Sequence, residues 1–189
     1  MTLLLFGLGN VGEDYILTRH NIGFIMLDML AENIGGININ FYKSDYAYKA
    51  DIVFNNTTLI LLKPTTLMNN SGLAVKYWMN FYNVTPDKIL ILVDDLHLPF
   101  LELRFRLQGS HGGHNGLRNI ETIIGTTHYC RLRCGIGHNF TYGQQKNYVI
   151  GQFSKMEYET IIKSKNKIID KIKDSINTML KQNTNIVII

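Results

Sequence analysis

Residues 3–24 read LLLFGLGNVGEDYILTRHNIGF, and this stretch decides the fold. Its apolar start, residues 3–6, predicts a buried strand that ends in the glycine loop at 7–12. His20 then stands just before an apolar repeat of helical period that begins at Ile22. A strand, a loop, a histidine and a helix in this order place one titratable ring near the carboxyl edge of a central sheet, where open α/β sheets bind ligands. We therefore expect most of the remaining chain to complete a site around His20.

The composition is that of a globular chain with a substantial core. Of the 189 residues, 46% are hydrophobic and 18% are charged, which excludes a disordered chain. The formal net charge of +4 permits a polyanionic partner but does not require one. The two cysteines, Cys130 and Cys134, are too few for a disulfide framework and indicate a reducing compartment. We recognise no signal peptide and no apolar run near the roughly 20 residues that cross a bilayer, and we predict one domain over residues 1–189.

Apolar periodicity divides the chain into interleaved helices and strands. The run at 89–93 is continuously apolar, as in a central strand covered on both faces, whereas residues 101–107 alternate as in a half-exposed strand. Because some strands follow one another without a helix, we predict an α/β fold, a single domain with a twisted mixed β-sheet flanked by helices on both faces. Helices are predicted from Ile22 to the glycines at 35–36 and over 73–82, 117–124 and 155–181, and further strands over 37–43, 46–54, 58–62, 129–136 and 148–153.

The glycine loop, Gly7-x-Gly-x-x-Gly12, also matches the dinucleotide-binding fingerprint. In that motif the third glycine opens a helix whose N-terminus meets a pyrophosphate, and an acidic residue about 20 positions on ends a second strand. Here residues 13–15 separate Gly12 from the helix, and Asp28, near the acidic position, lies within it. We therefore expect the glycines to let the backbone approach a substrate closely. A nucleotide-dependent oxidoreductase is the less favoured alternative.

His20 is the candidate general base, because an imidazole with an ordinary pKa of about 6.5 accepts protons near neutrality. A histidine base needs a hydrogen-bond acceptor on its other ring nitrogen. Asp94, at the end of the run 89–93, has the right chemistry and location, although the neighbouring Asp95 competes for the role.

Three asparagines follow strand-like runs, where side-chain amides are able to position water and bind a developing oxyanion without titrating. Asparagine is also a common turn residue, which is the plainer interpretation of each one alone. A possible metal cluster, His111 and His114 with His138 further on, has no cysteine or carboxylate in its glycine-rich loop, so a metal is disfavoured. The three asparagines are Asn10, Asn69 and Asn115.

Five arginines concentrate within thirty residues of the chain. Two pairs occupy alternating positions of predicted strands, so both members of each pair face one way. Such pairs form either a phosphate-binding patch or a solvated sheet face, and the sequence favours neither. The five are Arg104, Arg106, Arg118, Arg131 and Arg133.

Five blocks in this order resemble the bacterial-type peptidyl-tRNA hydrolase family: GLGNVGEDYILTRHNIG, KPTTLMNNSG, ILVDDLHLP, GSHGGHNGL and RLRCGIGH. The resemblance covers about residues 3–153 and is far more specific than any single motif. It implies a cytoplasmic monomer that cleaves the ester between a peptide and the 3′-terminal ribose of tRNA without a cofactor, and so a nucleic-acid substrate and no membrane. A non-catalytic RNA-binding module on the same fold is the chief alternative.

The resemblance also implies residue roles. The catalytic base falls on His20, the carboxylate that keeps it ready to accept a proton on Asp94, and the residue that separates blocked from free aminoacyl-tRNA on Asn10. The contacts to the tRNA end fall on Tyr15, Leu67, Asn69 and Asn115, with Met68 and His114 lining the site. The phosphate contacts fall on Arg106 and Arg133, with Arg104 nearby.

Four departures from the family pattern remove no catalytic group, and one of them is Phe100-Leu101, which replaces a glycine-containing turn. Val11 replaces a proline, which predicts a less rigid glycine loop. Leu67 replaces an aromatic residue, which weakens the expectation of stacking there. His97 replaces the usual acidic residue after the pair Asp94–Asp95.

Overall fold

A computed structural model describes residues 1–36 and 39–184, with side chains through residue 182. The strands are β1 Thr2–Gly7, β2 Tyr42–Ser44, β3 Ala47–Phe54, β4 Thr57–Pro64, β5 Ile89–Asp95, β6 Leu103–Arg106 and β7 Cys130–Gly135. The helices are α1 Ile22–Gly35, α2 Ser71–Tyr82, α3 Asn115–Ile124, α4 Gln145–Ile150, α5 Lys155–Lys163 and α6 Lys165–Thr184. None of the helices in the described ranges has the length and hydrophobicity to cross a membrane.

The seven strands form one mixed sheet in the order β2-β3-β4-β1-β5-β7-β6. β1 runs parallel to β4 and β5, and β5 runs parallel to β7, whereas β2, β3 and β6 pair in antiparallel fashion at the two edges. The predicted mixed sheet is therefore confirmed. The parallel centre brings the carboxyl ends of β1, β5 and β7 to one edge.

Alternate residues of β1 supply two hydrophobic cores, one on each face of the sheet. Leu3 and Leu5 pack in the core that contains α1 and α6, and Leu4 and Phe6 pack in the core that contains α2 and α3. A central strand buried on both faces needs this continuous apolar run. The helices thus cover both faces, as the sequence predicts. The two cysteines are free, and both are buried in the first core.

Helix α1 packs unusually close to the sheet, and two glycines make this possible. A Cβ atom on Gly7 would lie 2.3 Å from the carbonyl oxygen of Gly23, and one on Gly23 would lie 2.5 Å from the Leu8 nitrogen and the Leu92 oxygen. A Cβ on Gly9 would likewise meet the Phe24 ring at 2.8 Å. For Gly7 and Gly9 the expectation that the loop glycines let the backbone approach a substrate is wrong, because α1 fills the space beside them. Because α1 begins only at residue 22, the glycine loop does not place the N-terminus of this helix against a pyrophosphate.

Several predicted elements differ from the structure in the second half of the chain. Residues 148–153, predicted as a strand, instead contain the end of α4 and an isolated bridge between Gln152 and Thr18. A short apolar run has no periodicity that separates a strand from a helix. The helix predicted over 155–181 is two helices that meet at Ser164.

Two predicted strands are shorter than expected. Of the strand predicted over 37–43, residues 37–38 lie outside the described residues, and only the short β2 begins near its end. The strand predicted over 101–107 is limited to β6, because Leu101 has a φ of 60° and belongs to the preceding turn. Alternation of apolar residues across a turn therefore overstated the length of this strand.

Candidate active site

A cavity of about 830 Å³ opens at the carboxyl edge of β1 and β5. Its wall is assembled from the loops that follow β1 and β4, the turn before α1, the end of β5, the start of α3 and one side of α4. This is the edge at which the sequence places the site. The predicted site residues that line it are Asn10, His20, Leu67, Met68, Asn69, Asp94, His114, Asn115 and Arg133.

The His20 ring lies against the Asp94 carboxylate, with 2.8 Å between Nδ1 and Oδ1. Both side chains are buried. Asp95, the competing carboxylate, points elsewhere: its oxygens accept hydrogen bonds from the His97 backbone N–H at 2.7 Å and from the Arg133 guanidinium at 2.9 Å. The structure therefore pairs His20 with Asp94 and gives Asp95 a role in the turn after β5.

This pair determines the protonation of the ring. Because Asp94 accepts a hydrogen bond from Nδ1, the neutral ring carries its proton there and Nε2 keeps a lone pair for a proton from water. Burial alone would lower the pKa of His20, but the charge and the hydrogen bond of Asp94 outweigh burial and raise that pKa above its ordinary 6.5. Burial alone would raise the pKa of Asp94, but its interactions with His20 and His114 hold it far below the usual range. The carboxylate is thus ionised and the imidazole is a strengthened base.

His114 donates to the same carboxylate oxygen as His20. Its Nε2 lies 3.0 Å from Asp94 Oδ1, and the two imidazole centroids are 4.9 Å apart. The ligand atoms of His20, Asp94 and His114 lie within 4.8 Å of one another, which is compact enough for a metal ion. Both nitrogen-to-oxygen distances are also those of N–H···O hydrogen bonds, so the three side chains can satisfy one another without a metal ion. His111, which the sequence offers as a metal ligand, instead accepts the Gly113 backbone N–H at 3.0 Å.

Asn10 is held by three hydrogen bonds. Its backbone N–H donates to Asn21 Oδ1 at 2.8 Å, its backbone carbonyl accepts from Asn21 Nδ2 at 2.9 Å, and its own Oδ1 accepts the Met68 N–H at 2.9 Å. Because the backbone donor of Met68 requires an oxygen opposite it, the Asn10 amide presents its Nδ2 donor toward the cavity. The clamp by Asn21 holds the loop next to Val11, where proline is absent. Sequence reasoning missed Asn21, since nothing marks a residue that pairs eleven positions back.

The other predicted contacts to a substrate divide into two groups. Leu67, Asn69 and Asn115 line the cavity and are exposed, Leu67 to 62%. Tyr15 is outside the cavity lining, in a short turn where its ring lies near Gly12. The structure therefore brings the first three together with His20 and does not bring Tyr15 to them.

Arg19 joins the C-terminal half of the chain to the turn that carries His20. Its guanidinium donates to the Gln152 carbonyl at 3.0 Å and to Glu157 Oε2 at 2.9 Å, and it lies 4.3 Å from the centroid of the Tyr148 ring. These contacts fix α4 as a wall of the cavity. Sequence reasoning missed this residue, because its partners lie about 130 positions away and give no local signal.

The strands β6 and β7 bring four arginines onto one face of the sheet. In their antiparallel register Arg104 lies opposite Arg133 and Arg106 lies opposite Arg131. Arg131 is fully buried and donates to backbone carbonyls, including that of Thr127 at 2.8 Å. Arg133 is committed to Asp95 and to the Ser110 carbonyl. The exposed members are Arg104, which pairs with the exposed Glu102 at 2.8 Å, and Arg106.

Known proteins of similar sequence identify the family. The model of the family described as peptidyl-tRNA hydrolase matches residues 4–188. The chain belongs to the peptidyl-tRNA hydrolase family. Curated peptidyl-tRNA hydrolases include one from Bacteroides fragilis, 47% identical over 161 residues (85% of this chain and 84% of that protein), and one from Cytophaga hutchinsonii, 48% identical over 157 residues (83% and 82%).

Solved structures agree with this family assignment. The crystal structure of peptidyl-tRNA hydrolase from Acinetobacter baumannii superposes with a TM-score of 0.85 at 33% identity, over 97% of this chain and 93% of that one. Futalosine hydrolase of Helicobacter pylori, at 9% identity and a TM-score of 0.52 over 96% and 98% of the two chains, shares the fold alone.

The Arg19 contacts predict a measurable coupling between α4 and the His20 turn. Lysine keeps the charge but not the fork of donors, so Arg19→Lys loses most of the carbonyl and carboxylate contacts. We expect amide hydrogen exchange over residues 145–152 to accelerate at least about tenfold. The matched control is Arg118→Lys at an exposed position of α3. Unchanged exchange in Arg19→Lys would show that α4 is held by other contacts.

Proposed function

We propose that this chain hydrolyses the ester of peptidyl-tRNA by general-base catalysis. The observation that carries the proposal is the His20–Asp94 pair in the wall of a cavity at the carboxyl edge of the sheet, in a member of the peptidyl-tRNA hydrolase family. Asp94 binds Nδ1, and among the described residues Nε2 has no hydrogen-bond partner. We further propose that it acts as a monomer in the cytoplasm, recycling tRNA from prematurely released peptidyl-tRNA.

In the proposed reaction, His20 Nε2 takes a proton from a water molecule as the water oxygen attacks the ester carbonyl carbon. The resulting tetrahedral intermediate collapses, the bond to the ribose oxygen breaks, and the His20 imidazolium returns the proton to that oxygen. Asp94 orients the ring and stabilises the imidazolium between the two steps. The products are a tRNA with a free ribose hydroxyl and a peptide carboxylic acid, which loses its proton to the solvent and leaves as the carboxylate.

Side-chain amides provide the neutral hydrogen-bonding groups of the site. Asn10 has a fixed orientation and presents Nδ2 as a donor, which suits a carbonyl of the peptide beside the ester. Asn69 and Asn115, exposed at the cavity, are the donors available to the developing oxyanion or the attacking water. In this proposal Asn10, whose orientation is fixed, recognises the peptide, whereas the exposed Asn69 and Asn115 are free to adjust their contacts during the reaction.

The exposed arginines of β6 are the residues that we propose bind tRNA phosphates. Within the described part of the chain, Arg106 donates only to the carbonyl of the neighbouring Phe105. Arg104 pairs with an exposed carboxylate, and breaking such a pair costs little free energy. The family resemblance places Arg133 among the phosphate contacts. Because its guanidinium already donates to Asp95 and to the Ser110 carbonyl, we propose instead that it stabilises the edge of the cavity.

Loss of the base gives the first test of the proposal. We expect His20→Ala to lower the rate of deacylation of an N-blocked aminoacyl-tRNA by about 10²- to 10⁴-fold, because the base is removed while the binding surface stays. Asp94→Asn should lose less activity, because it disturbs the orientation of the ring but leaves it in place. Thermal unfolding of each variant controls for folding. Activity of His20→Ala within threefold of wild type would show that another group is the base, whereas a wild-type protein that binds tRNA but does not deacylate it would favour an RNA-binding module.

Selectivity tests the proposed role of Asn10. Asn10→Asp keeps the oxygen that accepts the Met68 N–H, but it replaces the donor with a carboxylate that attracts the ammonium of free aminoacyl-tRNA. We expect the ratio of kcat/KM for blocked over free substrate to fall about tenfold or more. The ratio cancels effects on His20, which both substrates share. Asn139→Asp, at an exposed position, is the matched control, and an unchanged ratio in Asn10→Asp would place discrimination elsewhere.

Salt dependence tests the phosphate contacts. The double variant Arg104→Ala/Arg106→Ala should raise KM and make the log–log dependence of tRNA affinity on salt shallower, by roughly 0.7 to 0.9 for each lost contact. Turnover at saturation should change little, because these groups bind far from the ester. Lys155→Ala removes an exposed charge at the start of α5 and is the control. A slope equal to that of wild type would mean that the phosphates bind elsewhere.

A further inference from the structure

His114 takes part in two hydrogen bonds that together fix its ring. It is the N-cap of α3, and its Nδ1 accepts the Leu117 backbone N–H at 3.3 Å. On the opposite side of the ring, Nε2 lies 3.0 Å from Asp94 Oδ1. A nitrogen that accepts a backbone N–H holds no proton, and a nitrogen facing a carboxylate donates one. The ring is therefore held in the tautomer whose single proton is on Nε2.

This arrangement makes the two histidines of the site unequal. His20 uses Nδ1 for Asp94 and keeps Nε2 for the cavity, whereas His114 has both nitrogens occupied by the protein. His114 is thus unsuited to take a proton from water, and its function must lie in what it donates.

The acceptor that it shares with His20 indicates what that function is. Oδ1 of Asp94 receives both ring protons, and the Asp94 side chain is 2% exposed, so water does not compete for the carboxylate. A second donor on the same oxygen stabilises the carboxylate further and so weakens its attraction for the first donor. We propose that His114 is a positioning residue: its fixed ring donates to Asp94 and limits how strongly Asp94 stabilises the protonated form of His20. This inference rests on the proposed role of His20 as the base.

The other charged groups near His20 are mostly paired with one another, so Asp94 and His114 are the groups that set the protonation of its ring. On the turn that carries His20, Arg19 points away to Glu157, and on α1 the two carboxylates pair with lysines on the far side. Across the cavity Asp95 is paired with Arg133. The remaining titratable groups in the cavity wall are His97 after β5 and Lys146 on α4. The carboxylates of α1 and their partners are Asp28 with Lys63 and Glu32 with Lys165.

Two conservative variants separate the two hydrogen bonds of His114. Asparagine places an oxygen where Nδ1 stands and is a favoured N-cap, but it is too short to reach Asp94. Glutamine places an N–H donor where Nε2 stands but caps the helix poorly. His114→Asn therefore keeps the cap and loses the donor, whereas His114→Gln loses the cap and keeps the donor.

The experiment is an NMR titration of the His20 ring in the wild-type protein and in both variants, with thermal unfolding alongside. We expect the His20 midpoint to rise by about half a pH unit or more in His114→Asn and to stay near wild type in His114→Gln. The unfolding temperature should fall mainly in His114→Gln. In the wild type, the ¹⁵N shifts of His114 should report a protonated Nε2 and a bare Nδ1.

The outcomes that overturn the inference are distinct from those that overturn the proposed function. An unchanged His20 midpoint in His114→Asn, equal shifts in both variants, or a proton on His114 Nδ1 would each contradict it. The wild-type tautomer decides the matter even where a variant does not fold. None of these readouts requires turnover, so a wild-type protein that fails to deacylate peptidyl-tRNA would overturn the function alone.

Discussion

One buried carboxylate organises the site of this protein. Asp94 is the penultimate residue of β5, a strand that is covered on both faces, and an ionised group in such a place is costly unless hydrogen bonds compensate it. Two imidazoles provide this compensation, one from the turn before α1 and one from the start of α3. The carboxylate therefore joins three separate segments of the chain, and its contact with His20 makes that imidazole a stronger base.

The close packing of α1 places the His20 turn where Asp94 needs it. Gly7 and Gly23 let the helix lie against the sheet, so the turn that precedes the helix reaches the carboxyl edge between β1 and β5. The clamp between Asn10 and Asn21 then joins the loop after β1 to the same turn. Arg19, on the opposite side of the turn, holds α4 as the outer wall. Packing against α1, rather than a ligand, thus accounts for Gly7 and Gly9 of the first loop.

The sequence predicted well those features that leave a local pattern. The apolar runs at 3–6 and 89–93 are the central strands, and the chemical types of His20 and Asp94, each placed after a strand, identified the pair that the structure brings together. The alternation of arginines indicated a shared face. The alternation does not predict side-chain burial, so the sequence did not distinguish the buried Arg131 from the exposed Arg106.

Features that depend on distant partners were not predictable in this way. Residues 145–150 form a helix that is held by Arg19, about 130 positions away, which lies over the Tyr148 ring and pairs with Glu157. The apolar residues of 148–153 alone suggested a strand. The choice of Asp94 over Asp95 depends on Arg133, whose contact crosses 38 positions of sequence. The departures from the family pattern at Leu67 and His97 both concern exposed side chains, and neither alters the pair at the centre.

The most direct test of the account compares catalysis with the titration of its proposed base. Because the base acts unprotonated and the pKa of His20 is raised, kcat/KM for an N-blocked aminoacyl-tRNA should fall as pH drops through a midpoint above 6.5. That midpoint should coincide with the His20 titration measured by NMR, and both should move to lower pH together in Asp94→Asn. A flat profile from pH 5 to 8, or a midpoint that stays in place when Asp94 loses its charge, would contradict the account.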